Sequence, residues 1–152
     1  ARSNSGFTAS ALGFGSVNAE EQRLRKRAYE IMDYMKLLPY AQRLAGDLPF
    51  GIQKRVEMAR ALAADPKLLL LDEPAAGLNH DEMSGLEDQI TDVCKRLGLT
   101  VLLVEHHMSL VMAVSQKVVV INFGKKIAEG TPTEIQQHPE VIAAYLGAPA
   151  DA

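Results

Sequence analysis

The sequence predicts an α/β domain organised on a parallel sheet, and three stretches carry that expectation. Leu68-Leu69-Leu70-Leu71 leaves no polar face between Pro66 and Asp72, which suits a strand covered on both sides. A second apolar strand is expected at Thr100–Val104. Between the two, Met83, Leu86, Ile90, Val93 and Leu97 recur at helical spacing, so strand, helix and strand make a parallel crossover unit.

In chain order, residues 1–17 are rich in Gly, Ser and Ala and read as a poorly ordered segment. Asn18 followed by Glu21 has the capping-box spacing that opens a helix. Leu24, Ala28, Ile31, Met35 and Leu38 mark its apolar face, and Pro39 stops it. The basic run Arg23-Arg25-Lys26-Arg27 reads as the solvated face of that helix. A second helix is expected over residues 51–64, with Ile52, Val56, Ala59 and Ala63 on one side.

Residues 67–71 are the first strand. Asn79 and Glu82 then form a second capping box, and Gly98 supplies the left-handed residue that ends the helix. Beyond the second strand come a short helix at 108–114, a strand at 117–123 and a turn at Phe123-Gly124-Lys125. A return strand follows at 126–129. Thr131-Pro132-Thr133-Glu134 combines a cap, a first-turn proline and a cap-box acid, and a last helix is expected over 139–146 before Gly147.

Composition narrows the function. With 152 residues, 47% of them hydrophobic, the chain can bury an ordinary core. A net charge of −3, no tryptophan and 5% aromatics exclude an electrostatic or base-stacking nucleic-acid binder. Cys94 is alone, so neither an internal disulfide nor a cysteine metal cluster is expected, and a reducing cytoplasmic setting fits. No apolar run approaches the about eighteen residues of a membrane span.

Three motifs carry chemistry. Asp72-Glu73-Pro74 stands at the carboxyl end of the first strand, the edge where open α/β sheets bind ligands, and the adjacent acids call for a cation such as a nucleotide's magnesium. Leu48-Pro49-Phe50-Gly51-Ile52 opens a helix, where free backbone N–H groups near Gly51 and Ile52 make an anion site without a basic side chain. Glu105-His106 follows the second strand, with His107 as the rival imidazole.

With these motifs in this order the chain resembles the nucleotide-binding subunit of ATP-binding cassette (ABC) transporters. The wording Pro74-Ala75-Ala76-Gly77-Leu78-Asn79 is similar to the branched-chain amino-acid uptake branch. That resemblance implies a partial P-loop NTPase (RecA-like) parallel sheet with an α-helical subdomain, divided as a helical part at 1–64, a core portion at 65–130 and a helical tail at 131–152. Asp72 matches the Walker B aspartate that holds Mg²⁺ through water. Glu73 matches the acid that polarises the attacking water, and His106 matches the switch histidine that contacts the γ-phosphate. Residues 76–79 correspond to the loop that runs along the dimer interface, so Asn79 has an interface role beside its capping role.

Leu48, Pro49, Phe50, Gly51 and Ile52 take the place of the signature loop that faces a nucleotide held by a second subunit. Pro49, Phe50 and Ile52 depart from the common Leu-Ser-Gly-Gly-Gln pattern, so the backbone contact is what carries over. Implied cofactors are ATP and Mg²⁺. Implied partners are a second nucleotide-binding subunit, transmembrane permease subunits and, indirectly, a periplasmic binding protein, with no nucleic acid. The protein would then sit in the cytoplasm against the inner face of the cell membrane, held there by the permease.

The 152 residues contain no Gly-x-x-x-x-Gly-Lys-Ser/Thr; Gly124-Lys125-Lys126 lacks both spacing and hydroxyl. The expectation is a carboxyl-terminal piece whose sheet lacks the phosphate-loop strand between the strands ending at Val104 and Phe123. Such a piece would be inactive alone, and dimeric, rearranged or aggregation-prone. A non-transport ABC-type ATPase, a nonhydrolytic binding module and an unrelated flavodoxin-like domain are the alternatives.

Overall fold

The computed structural model describes residues 14–146. The chain divides into two compact units, residues 1–66 and 67–152.

In the first unit, α1 (Phe14–Tyr34) and α2 (Phe50–Leu62) are joined by two 3-10 turns, Leu38–Tyr40 and Ala45–Asp47. α1 begins earlier than the Asn18–Glu21 pattern suggests, so these residues lie inside the helix rather than at its start. Of the segment 1–17, read as poorly ordered or induced, residues 14–17 belong to α1, and residues 1–13 lie outside the described residues. The helix also ends before Pro39: Lys36 takes a left-handed φ of 55° and reverses the chain, and the proline sits in the following 3-10 turn. Of the expected apolar face only Ile31 and Met35 are buried, while Leu24 and Leu38 are exposed. The basic run is exposed, and Lys26 and Arg27 pair loosely with Glu30 one turn on.

α2 contributes Met58, Ala59 and Leu62 to the core, a face turned slightly from the expected one, on which Ala63 is exposed. Between these elements lies an apolar hollow of about 280 Å³, lined by Ile31, Leu37, Tyr40, Leu48, Val56 and Ala59 among others.

The second unit opens with β1 (Leu68–Asp72), α3 (His80–Leu97) and β2 (Thr100–Val104). β1 and β2 pair in parallel, with Leu70 opposite Leu102 and Asp72 opposite Val104. α3 is capped as its sequence dictates. Asn79 accepts from the Glu82 amide, Glu82 accepts from the Asn79 amide, and Gly98 closes the helix at φ 64°. Leu86, Ile90 and Val93 form its buried stripe.

One expectation fails here. Rather than being covered on both sides, β1 alternates: Leu69 is buried, whereas Leu68 and Leu70 are exposed. Leu102 and Val104 extend the same exposed apolar face on β2. Within this unit helix α3 supplies one cover, and no second layer is present among the unit's described residues.

α4 (Met108–Val114) leads to an antiparallel hairpin of β3 (Val118–Asn122) and β4 (Lys125–Gly130). Phe123 and Gly124 both have positive φ, 46° and 75°, the geometry of a two-residue turn whose twist matches the strands. A register shift after Val120 leaves Ile127 as an extra residue. Val118, Val120 and Ala128 pack with Ile135 of α5 (Pro132–Gln136) and Val141 of α6 (Pro139–Val141).

Beyond α6 the expected helix continues only as a wider π turn through Leu146, and Tyr145 donates its hydroxyl hydrogen to the Ile121 carbonyl at 2.6 Å. The β1–β2 and β3–β4 pairs form separate sheets, so β2 and β3 each have one bonded neighbour among the described residues. Likewise among these residues, no helix is long and apolar enough to cross a membrane.

Candidate functional site

The site stands where β1 and β2 end side by side. β1 delivers Asp72 at its last paired position, and the chain then turns sharply because Glu73 adopts a left-handed φ of 44°. For a residue with a Cβ this conformation costs on the order of 1–3 kcal/mol and needs an anchor. Its amide supplies one, donating to the Val104 carbonyl of β2 at 2.8 Å. The turn closes through the Ala76 amide on the Glu73 carbonyl, and Gly77 takes the next positive φ, 79°.

This turn throws the Glu73 carboxylate towards the loop after β2. His106 Nδ1 lies 3.6 Å from Glu73 Oε1, an ion pair only when the ring carries its second proton. Both side chains are more than half exposed, at 60% for His106 and 57% for Glu73. Asp72 is exposed as well, and no hydrogen bond or ion pair engages its carboxylate among the described residues. The strand expected to be covered on both sides thus ends in two exposed acids. They stand in solvent, where two neighbouring charges carry little desolvation cost.

The residue that holds the two loops together is Glu105, to which sequence reasoning assigned no role of its own. Its side chain has no exposed surface. Oε1 accepts the Ala75 amide at 2.9 Å from the β1 turn. Oε2 accepts the His106 amide at 2.9 Å, the His107 amide at 3.1 Å and His107 Nδ1 at 3.0 Å. An ionised carboxylate can only accept, so His107 carries a proton on Nδ1. Burial alone would raise the Glu105 carboxyl; the four donors outweigh it and hold the group below its ordinary value.

A signal for Glu105 did exist in the sequence. Strand alternation continued one step past Val104 puts residue 105 on the same side as Val101 and Leu103, the half-covered face. Glu105, His106 and His107 also bring ligand atoms within 4.8 Å of one another, but Glu105 already spends its lone pairs on these four donors.

His106 and His107 diverge in role. Their rings lie 4.4 Å apart, yet His107 turns inward to Glu105 and starts α4, whereas His106 faces Glu73. Asn79 caps α3 at the far end of the same turn.

The 48–52 loop belongs to the first unit. Pro49 precedes the first turn of α2, and its carbonyl accepts from the Ile52 amide at 2.9 Å and the Gln53 amide at 3.0 Å. The Ile52 N–H is thus engaged, contrary to the expectation that it is free; Phe50 and Gly51 keep the unpaired amides of that turn among the described residues. Leu48 is buried and its carbonyl accepts from the Gln53 side chain at 2.9 Å, which fixes the entry to the helix. Phe50 is 47% exposed, and the Lys54 ammonium lies 5.5 Å from its ring centre.

Residues 3–76 match the model of the ABC transporter family, and residues 125–151 match that of the branched-chain amino acid ATP-binding cassette transporter. The chain belongs to the ATP-binding cassette family. Among curated relatives it is 41% identical over 144 residues to the high-affinity branched-chain amino acid transport ATP-binding protein BraF of Pseudomonas aeruginosa, covering 95% of this chain and 56% of that one. It is 44% identical over 121 residues to the corresponding protein LivG of Escherichia coli K12, covering 80% and 48%.

The ADP conformation of an ATP-binding cassette of an ABC transporter superposes with a TM-score of 0.75 at 30% identity, covering 83% of this chain and 51% of that one. The fold is accordingly part of an ABC ATPase domain, and the chain spans about half the length of the curated relatives it matches. In this cassette chain the Asp72–Asn79 turn and the Glu105–His107 loop lie together in the second unit.

Proposed function

We propose that this chain works as part of an ATP-hydrolysing subunit of an ABC importer for branched-chain amino acids. The observation that carries the reading is the pairing of an exposed carboxylate, Glu73, with an exposed imidazole, His106, on a turn whose strained backbone is pinned to the neighbouring strand. Phosphoryl transfer asks little covalent chemistry of a protein and much placement.

The residues present fit a hydrated Mg²⁺ and a nucleotide. Asp72 offers unengaged carboxylate oxygens, the hard donors magnesium takes, beside a second acid. When bound, Mg²⁺ and ATP supply the reacting phosphate and neutralise charge across its oxygens. Glu73 accepts a hydrogen bond from a water and orients it for attack. His106, beside Glu73, would donate a hydrogen bond to a phosphate oxygen of the bound nucleotide. The Phe50 and Gly51 amides, at a helix start, suit an anion presented by a second nucleotide-binding subunit.

Permease subunits and, through them, a periplasmic binding protein are the partners this role requires. They would hold the subunit on the cytoplasmic face of the membrane.

These 152 residues encode no Gly-x-x-x-x-Gly-Lys-Ser/Thr loop to grip a nucleotide's phosphates. The chain by itself is expected to turn over no ATP and to self-associate through the open edges of β2 and β3, read out by light scattering. In the full-length subunit, Glu73→Gln keeps ATP binding and lowers hydrolysis by roughly 10²–10⁴-fold, the worth of a positioned acid or base. Hydrolysis unchanged in that variant overturns the assignment of Glu73, and a full-length subunit without ATPase activity overturns the function.

A further inference from the structure

We infer that Glu105 is a positioning residue that fixes the separation of Glu73 and His106 by gripping the two loops that carry them. The inference rests on the ATPase reading for its functional consequence, but its geometry stands apart from it. Glu73 and His106 have no covalent tie closer than the strands beneath them, and their side chains are more than half exposed. Nothing in their own contact, at 3.6 Å, is tight enough to hold that spacing.

The Glu105 carboxylate supplies what is lacking. One oxygen holds the Ala75 amide, two residues past Glu73, and the other holds the amides of His106 and His107 together with the His107 ring. Ala75 is 1% exposed and Pro74 is buried, so the grip on the turn is shielded from bulk water, and hydrogen bonds to a charged acceptor are stronger there than in open solvent. The second anchor, Glu73 N–H on the Val104 carbonyl, fixes the root of the turn but not its direction. A carboxylate is required because both oxygens face only donors. Glutamine of the same shape has one acceptor and turns an NH₂ group towards either the Ala75 amide or the two histidine amides. Aspartate, one methylene shorter, cannot reach both loops.

Glu105→Gln tests this at two levels. In the 152-residue chain, amide hydrogen exchange at Ala75, His106 and His107 should rise about tenfold or more, while the α3 amides of Ile90 and Val93 stay unchanged. In the full-length subunit kcat should fall roughly ten- to a hundredfold with KM for ATP little altered, since only the alignment of the reacting groups is lost. Exchange that is unchanged, or that rises equally throughout α3 and the hairpin, overturns the inference. So does a fall in affinity for ATP with kcat preserved. If the wild-type subunit hydrolyses no ATP, the function falls while the exchange result still decides the positioning.

Should Glu105→Gln fail to fold, His107→Ala removes a single donor and leaves the three backbone ones. Exchange at Ala75, which His107 does not touch, should then rise severalfold. No change at Ala75 overturns the coupling between the loops.

Discussion

Glu105 and Glu129 lie in the same unit, each accepts from several donors, and both titrate below the ordinary carboxyl value of 4.5. They do different things to the chain around them. Glu129, on β4, pairs with the ammonium groups of Lys117 and Lys126, both on mobile four-carbon stems and both well exposed. Its carboxyl is drawn down to about 2 by hydrogen bonds and charge from these lysines. Glu105 has no lysine or arginine partner among the described contacts. Three of its four donors are backbone amides with fixed positions, and its side chain has no exposed surface. An exposed pair stabilises charge; a buried carboxylate on main-chain donors sets distances.

Stability should expose that difference most strongly. Glu105→Ala leaves the amide of the buried Ala75, and those of His106 and His107, without an acceptor and should cost roughly 1–3 kcal/mol in urea unfolding. Glu129→Ala should leave the urea midpoint where it is, because exposed pairs contribute little. Equal losses in the two variants would break the contrast.

Acid titration should give the next largest effect. Each carboxyl is depressed in the folded chain, so whatever stability it contributes is present above the ordinary value and lost as pH falls through the folded one; for the solvent-screened Glu129 pair that contribution is small. For Glu129 that window runs from 4.5 down to about 2, and Lys117→Ala should move its midpoint back upward in an NMR titration. For Glu105 the loss also lies below 4.5, and there protonation should shift the Ala75 amide resonance with it.

Salt should produce the smallest change. At 1 M, where the screening length is about 3 Å, the Glu129 midpoint should climb towards its ordinary value. The Glu105 midpoint should move less, since its side chain has no exposed surface and three of its four donors are fixed backbone amides. A shift of equal size at both would mean that Glu105 acts through charge alone.

Much of this was legible because it is local. Helix α3 could be read from Asn79, Glu82, the Leu86-Ile90-Val93 stripe and Gly98, since caps and stripes are satisfied within a few residues of themselves. The β3–β4 turn and the Thr131–Glu134 cap are of the same kind. Legibility failed where the outcome depended on what lies across a gap. Leu68 and Leu70 read as doubly buried because four leucines suit either face, but only contacts from elsewhere decide how many faces are covered. The Asn18–Glu21 pattern looked like a helix start although the helix had already begun, for capping residues are also tolerated inside helices. The Ile52 amide looked free until Pro49 supplied a carbonyl in the first turn.

By itself the sequence determined that Asp72 and Glu73 close one strand and that Glu105 and His106 follow another, because strand ends are written in local apolar runs. Only the tertiary structure decided what holds them. Glu105 meets Ala75 across thirty positions of chain, through the parallel register of β1 on β2, and no short-range pattern encodes which amides a buried carboxylate will face.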